Sequence, residues 1–261
     1  MSEFILTTRE NGIATVTLNR PDKRNAMNGK MVKEIFHALE QFRNDNDSRV
    51  IMIKGNGEHF CAGADINWMQ HIASESYDAN YDDAQALADL MFQLYTYSKP
   101  TIVLAHGATL GGGLGLLAAC DIALVGSSTS FGFSEVKIGI TPSIISPYVV
   151  AAIGERAAHY YFLTGARFDA EEAQRIGLAH QVIEDNKLAQ AGADIANLLL
   201  QNSPHALTAA KQLIRYVAKE KITAELAQKT AEHLSNLRTT PEAQEGLRAF
   251  MEKRTPQWKE S

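Results

Sequence analysis

Apolar and polar positions alternate along two short β-rich runs, Phe4–Arg9 and Ile13–Asn19, and the pair Asn11-Gly12 between them predicts a tight hairpin. From Asn28 to Phe42 the period changes. Met31, Ile35, Leu39 and Phe42 fall at helical spacing, with Asn28 placed to cap the first turn. Val50–Lys54 is a buried strand that runs into Gly55-Asn56-Gly57. Residues 70–80 are polar and irregular and predict a loop or a frayed helix, followed by a helix over Tyr81–Tyr97 that Lys99-Pro100 closes. A strand at Thr101–Ala105, a helix at Gly112–Ala119 and a strand at Asp121–Val125 follow. Alternating strands and helices predict an α/β body with a parallel sheet. After Glu184 the pattern becomes helical throughout: Lys187–Asn202, His205–Lys219, Thr223–Arg238 and Pro241–Lys253, with breaks at Ser203-Pro204 and Thr240-Pro241. We therefore divide the chain into a body, 1–184, and a helical region, 185–261, that is not needed to complete the body and suggests an oligomerisation module.

The stretch GATLGGGLGLLAACD, 107–121, holds five glycines in its first nine positions and then turns apolar. A phosphate loop would need a lysine after the last glycine, and a dinucleotide fingerprint would need another glycine where Leu116 stands. A plain packing turn is one remaining reading. The other uses the backbone: the first N–H groups of a helix lack intrahelical partners and lie at the positive end of its dipole. Glycine lets a substrate oxygen approach them, as an oxyanion site requires. A second small-Gly-small turn, CAGAD at 61–65, also follows a buried strand, and the two turns can converge on one carbonyl oxygen. Asp65 within it is read equally well as a helix cap.

Composition narrows the partners. In 261 residues, 25 Lys and Arg stand against 30 Asp and Glu, a net charge of −5, which argues against nucleic acid or an anionic membrane. Apolar residues make up 45%, ordinary for a globular chain, and no run approaches a membrane span. Two cysteines, Cys61 and Cys120, build no disulfide framework, and the N-terminus lacks a signal-peptide core, so the expectation is a cytoplasmic protein. The eight histidines show no ligand spacing and predict no metal site. Cys61 has no histidine that can be placed beside it and is read as small buried filler; Trp68 and Met69 are read as packing or pocket wall.

Four segments, FCAGADI at 60–66, GATLGGGLGL at 107–116, ACDIAL at 119–124 and FGFSEVKIGITP at 131–142, together resemble the enoyl-CoA hydratase/isomerase family, the crotonase superfamily. RPDKRNAM at 20–27, LTGARFDAEEAQRIGLAHQV at 163–182 and the helical tail fit the same order, so the resemblance covers essentially the whole chain. It implies a spiral of ββα units with a C-terminal helical region that builds a homotrimer, or a hexamer as a dimer of trimers. It also implies an acyl-CoA thioester as substrate, with coenzyme A entering as part of that substrate and no permanently bound cofactor. The matching thioester-oxygen donors are the N–H groups of Ala64 and Gly112, and the adenine end is met by the turn holding Ala62, Asp65 and Ile66. Lys23 and Arg24 match a CoA-contacting segment within the basic run Arg20, Lys23, Arg24, Lys30 and Lys33, while Phe250 and Lys253 are expected to reach a neighbouring subunit's CoA.

Hydration of an enoyl thioester needs a base for water and a proton for the α-carbon, and many hydratases of the family use two glutamates. One matches Glu135; at the other position this chain has Gly115. The apolar neighbours Phe131, Phe133, Val136 and Ile138 are expected to raise the Glu135 pKa toward the operating range. One carboxylate serves either hydration or double-bond isomerisation, so both stay open, as does a catalytically silent acyl-CoA-binding oligomer. Gly115 is further expected to free volume for a branched or carboxylated acyl chain. With segment 139–164 it resembles the methylglutaconyl-CoA hydratases of leucine breakdown, and that resemblance implies a role in fatty-acid or leucine degradation.

Overall fold

A computed structural model describes residues 4–259; the readings at Met1–Glu3 and at Glu260 and Ser261 lie outside it. The hairpin forms as predicted, β1 (Ile5–Glu10) pairing antiparallel with β2 (Ile13–Leu18). Asn11 and Gly12 both take positive φ, 50° and 78°, the combination for which an Asn-Gly turn is suited. β3 (Val50–Gly55), β4 (Thr101–Ala105), β6 (Ile122–Gly126) and β9 (Gln181–Ile183) continue the sheet in parallel, in the order β1-β2-β3-β4-β6-β9. A smaller sheet of β5 (Ala108–Leu110), β7 (Ser130–Gly132) and β8 (Arg167–Phe168) lies beyond the C-terminal ends of these strands. Each turn of the chain gives a long strand to the first sheet, rounds a corner, adds a short extended piece to the second and returns through a helix. Isolated bridges Cys61↔Thr109 and Met27↔Ala64 carry the second layer on past β5.

Helices α1 (Gly29–Arg43), α3 (Tyr77–Tyr95), α4 (Gly112–Ala119) and α5 (Ser146–Thr164) enclose the main core on one face of the sheet. The Asn28 side chain caps α1 by accepting from the Met31 N–H, and Met31, Ile35, Leu39 and Phe42 are buried as their spacing requires. α4 is apolar on every side and is buried accordingly. The opposite face is covered by α7 (Leu188–Leu200), whose Leu188 and Ala196 pack with Val50, Met52, Ile102, Leu104 and Leu124. α6 (Ala170–Arg175) precedes it; α8 (Pro204–Val217), α9 (Ala224–Arg238) and α10 (Pro241–Glu252) complete the chain.

Residues 70–80, expected as a loop or a frayed helix, are mostly helical. α2 runs from Ile66 to Ala73, and α3 begins at Tyr77, four residues before the predicted start. No residue of α2 is buried, and α3 buries only Leu90, Met91, Gln93 and Leu94 near its end. The stretch 70–80 spans the end of an eight-residue helix, a break and the start of another, so no single run within it is long enough for a period to stand out. Caps do the positioning instead: the Ser76 hydroxyl accepts from Ala79, and Asn80 Nδ2 donates to the Ile72, Glu75 and Ser76 carbonyls.

Candidate active site

The two small-residue turns are joined to each other. Cys61 donates to the Ala108 carbonyl, and Leu110 donates back to Cys61. Beyond the bridge the turns stay close: a β-carbon built on Gly111 would stand 3.6 Å from the Gly63 Cα. Gly111 takes φ 46° and ψ −118°, a left-handed conformation that admits glycine readily and other residues only with strain. It turns the chain so that α4 starts at Gly112.

Met27 links the turns to the 20–27 loop. Its N–H donates to the Gly63 carbonyl and its carbonyl accepts from Asp65, both at 2.8 Å. In such parallel pairing the intervening residue, Ala64, directs its own N–H to the opposite edge. The Met27 methyl packs onto Gly112 so tightly that a β-carbon there would overlap it. Among the described residues, no protein acceptor takes the N–H of Ala64 or of Gly112.

Glu135 opens a short 3₁₀ turn (Glu135–Ile138) after β7, and its carboxyl reaches back over the glycine turn. A β-carbon on Gly111 would lie 3.2 Å from Glu135 Oε1, while Oε2 is buried without a hydrogen-bond partner. Burial lifts the Glu135 pKa above the usual carboxylate range, opposed by a hydrogen bond from its own backbone N–H.

The CoA-contacting candidates fall into two groups. Lys23 and Arg24 are exposed on the 20–27 loop, and the Arg24 carbonyl accepts from Ala62, so this loop lies against the 61–66 turn. Ile66 begins α2 at 72% exposure. Asp65 is the cap of α2: Oδ1 accepts from Asn67 and Trp68, and Oδ2 pairs with Arg20 at 2.7 Å. Burial opposes its ionisation, but the Arg20 hydrogen bond and the helix N–H groups prevail and hold the carboxyl below its ordinary range. Arg20, grouped in sequence with the bases facing CoA phosphates, is instead turned inward and 11% exposed. Phe250 and Lys253 stand exposed on and just after α10, whose main packing is against α9 rather than these turns.

Gly115 gives the clearest departure from expectation. The space in front of it is not free: a β-carbon would overlap Ile145 Cγ2 and stand 3.1 Å from the Met91 methyl. The volume anticipated for a branched or carboxylated acyl chain is taken by these two apolar side chains. Met27 and Ile145 lie within the 20–27 and 139–164 segments and Met91 lies in none, but no motif marked the part these side chains play, because each acts across the fold from a different element. Cys61, beside the turn, is a buried thiol whose pKa burial raises to about 11, so it is held protonated and packs against Gly113. Among the described residues no group of three His, Cys, Asp or Glu could hold a metal ion, and no helix is long and apolar enough to cross a membrane.

The spiral of ββα turns is the crotonase fold, and it brings the 61–65 turn, the glycine turn and the buried Glu135 carboxyl together. The chain belongs to the enoyl-CoA hydratase/isomerase family, whose model matches residues 8–261. Among its relatives, the 2,3-dehydroadipyl-CoA hydratase of Escherichia coli K12 is 33% identical over 260 residues, covering 99% of each chain. The short-chain-enoyl-CoA hydratase of Clostridium acetobutylicum is 32% identical, covering 96% of this chain and 95% of that one. A crystal structure of an enoyl-CoA hydratase from Shewanella pealeana superposes with a TM-score of 0.95 at 40% identity, covering 98% and 96% of the two chains. The expected fold, with its helical C-terminal region, is the one found.

Proposed function

We propose that this protein is an enoyl-CoA hydratase adding water across the 2,3 double bond of an acyl-CoA thioester. The observation that carries the reading is the unpartnered, buried Oε2 of Glu135 beside a turn whose Gly112 N–H, with that of Ala64, has no protein acceptor. In this mechanism the Glu135 carboxylate takes a proton from water as the hydroxide oxygen bonds to C3. The π electrons move through C2 onto the thioester oxygen, where the two N–H groups hold the developing charge. The protonated Glu135 then returns its proton to C2, so that the net change is addition of one water. Lys23 and Arg24 meet the CoA phosphates, and the backbone of Ala62, Asp65 and Ile66 meets the adenine; the Asp65 carboxylate is already engaged by Arg20 and α2. CoA enters as part of the substrate, with no resident cofactor.

The filled space at Gly115 favours a second reading, isomerisation. With Ile145 and Met91 where another acid would need room, Glu135 alone would carry a proton between C2 and C4 of a 3-enoyl thioester. The same filling removes the volume argument for a methylglutaconyl-type chain, so the proposal is for a 2-enoyl-CoA without that restriction. We also assign the chain to the cytoplasm, and to a homotrimer or a dimer of trimers; apolar side chains left open on α10, among them Phe250 and Met251, support the assembly. In that assembly Phe250 and Lys253 reach a neighbour's CoA.

The test is the conjugated-thioester absorbance with crotonyl-CoA, 3-methylglutaconyl-CoA and a 3-enoyl-CoA. Loss of absorbance with crotonyl-CoA is expected. A gain only from the 3-enoyl substrate would replace hydration by isomerisation, and silence with retained CoA binding would leave an acyl-CoA-binding oligomer.

A further inference from the structure

We propose that Arg20, acting through Asp65, is a positioning residue for the thioester-oxygen donor at Ala64; the inference rests on the site proposed above. One guanidinium holds both sides of the bridge that orients that donor. Nη1 donates to the Ala26 carbonyl at 2.6 Å, and Nη2 meets Asp65 Oδ2 at 2.7 Å. Ala26 immediately precedes Met27, and Asp65 immediately follows Ala64, the two residues of the bridge. The Arg20–Asp65 pair therefore staples the 20–27 loop to the 61–65 turn at the register that turns the Ala64 N–H outward.

The turn needs such a staple because its own backbone is permissive. Gly63, next to the donor, sits at φ 98°, where no side chain limits rotation. Two backbone bonds to Met27 hold it locally. The outside clamp is well anchored: Arg20 and Asp65 are 11% and 12% exposed, and the guanidinium lies 4.8 Å from the centre of the Phe4 ring. The Arg20 N–H donates to Asn25 Oδ1, while Asn25, itself fully buried, donates to the Asn56 and His59 carbonyls. The other Asp65 oxygen accepts from the first N–H groups of α2. Lysine cannot reproduce this arrangement, since an ammonium is a point donor and the two acceptors here call for a planar fork.

The probe is 4-(dimethylamino)cinnamoyl-CoA, a push–pull chromophore whose absorbance moves to the red when its carbonyl oxygen is polarised. Wild type, Arg20→Lys and Asp65→Asn are titrated with it, and each is assayed with crotonyl-CoA. The asparagine variant keeps an amide oxygen to cap α2 and carries the test if the lysine variant does not fold. The expected result is a red shift in wild type that is much smaller at saturation in the variants. A fall in kcat of about 100-fold, the scale of a small misplacement at a reacting centre, accompanies it, with KM and probe affinity little changed. A folded variant with the wild-type shift, or a loss confined to KM and probe affinity, overturns the positioning role while leaving the site intact. A wild-type protein that binds the probe without any red shift overturns the oxyanion site itself.

Discussion

The carboxyl of Glu135 rests against Gly111, so close that a β-carbon at 111 would stand 3.2 Å from Oε1. The acid thus sits on the turn that exposes the Gly112 N–H, and the proposed base and the proposed donor are registered by one residue with no side chain.

Glu135→Gln is expected to lower kcat by about 100- to 10,000-fold, the usual contribution of a general acid–base group, with CoA affinity nearly unchanged. In the wild type, kcat/KM is expected to fall on the acid side with an apparent pKa above the ordinary glutamate value of 4.5, because burial raises that of Glu135. A pH profile with crotonyl-CoA checks both; unaltered turnover in the variant would remove Glu135 from the chemistry.

The same shift bears on stability. A carboxyl whose pKa is raised by folding binds its proton more tightly in the folded state. Its favourable contribution is complete below the unfolded pKa and is lost as pH rises through the folded one. Glu135→Gln is therefore expected to raise Tm at pH 8 relative to wild type and to leave it unchanged near pH 3. Melting curves at the two pH values check the sign.

Gly112→Pro deletes one of the two proposed oxyanion donors at a helix position that tolerates proline. The overlap it introduces is with the flexible end of Met27, which can turn aside. A fall in kcat of about 100- to 1000-fold with an intact fold is expected, read by steady-state kinetics alongside circular dichroism.

Gly115→Glu does not supply a second working acid. Its side chain must displace Ile145 and Met91, and overpacking of this kind costs about 1–3 kcal/mol before the buried charge is counted. Urea titrations are expected to give a lower midpoint for Gly115→Glu and partial recovery in Gly115→Glu with Ile145→Ala. Full stability in the single variant would show that the space is free after all.

Lys211 on α8 reaches Asp121 Oδ2 at 2.5 Å, and the same oxygen accepts from the Thr101 N–H and hydroxyl. Lys211, 10% exposed, also donates to the Lys99 carbonyl. Lys211→Met leaves the Asp121 carboxylate, 28% exposed and still held by Thr101, without its counter-charge, and a loss of about 1–3 kcal/mol in unfolding free energy is expected by urea titration.

The Asn11-Gly12 hairpin, the capped α1 and the alternation of buried strands with helices were legible in the chain, because each rests on contacts between near neighbours. The glycine turn and the small-residue turn at 61–65 were legible too, since a backbone donor site must be built from residues that leave the backbone bare. α2 was only partly so: Asp65 could be read as its cap, but eight residues ended by a break are too few for a period to stand out.

By itself the sequence determined the family, the helical end of the chain and the residues that could do the chemistry, for these are written in local spacing and in motifs. Only the tertiary structure decided that Arg20 turns inward to Asp65, 45 residues away, rather than outward to a phosphate. It alone brought Met27 between Ala64 and Gly112, and seated Ile145 in the room that Gly115 promised. The physical reason is common to all three. Which face of a loop is desolvated, and which side chain fills a given gap, depends on elements distant in the chain, and no period or spacing records where they will meet.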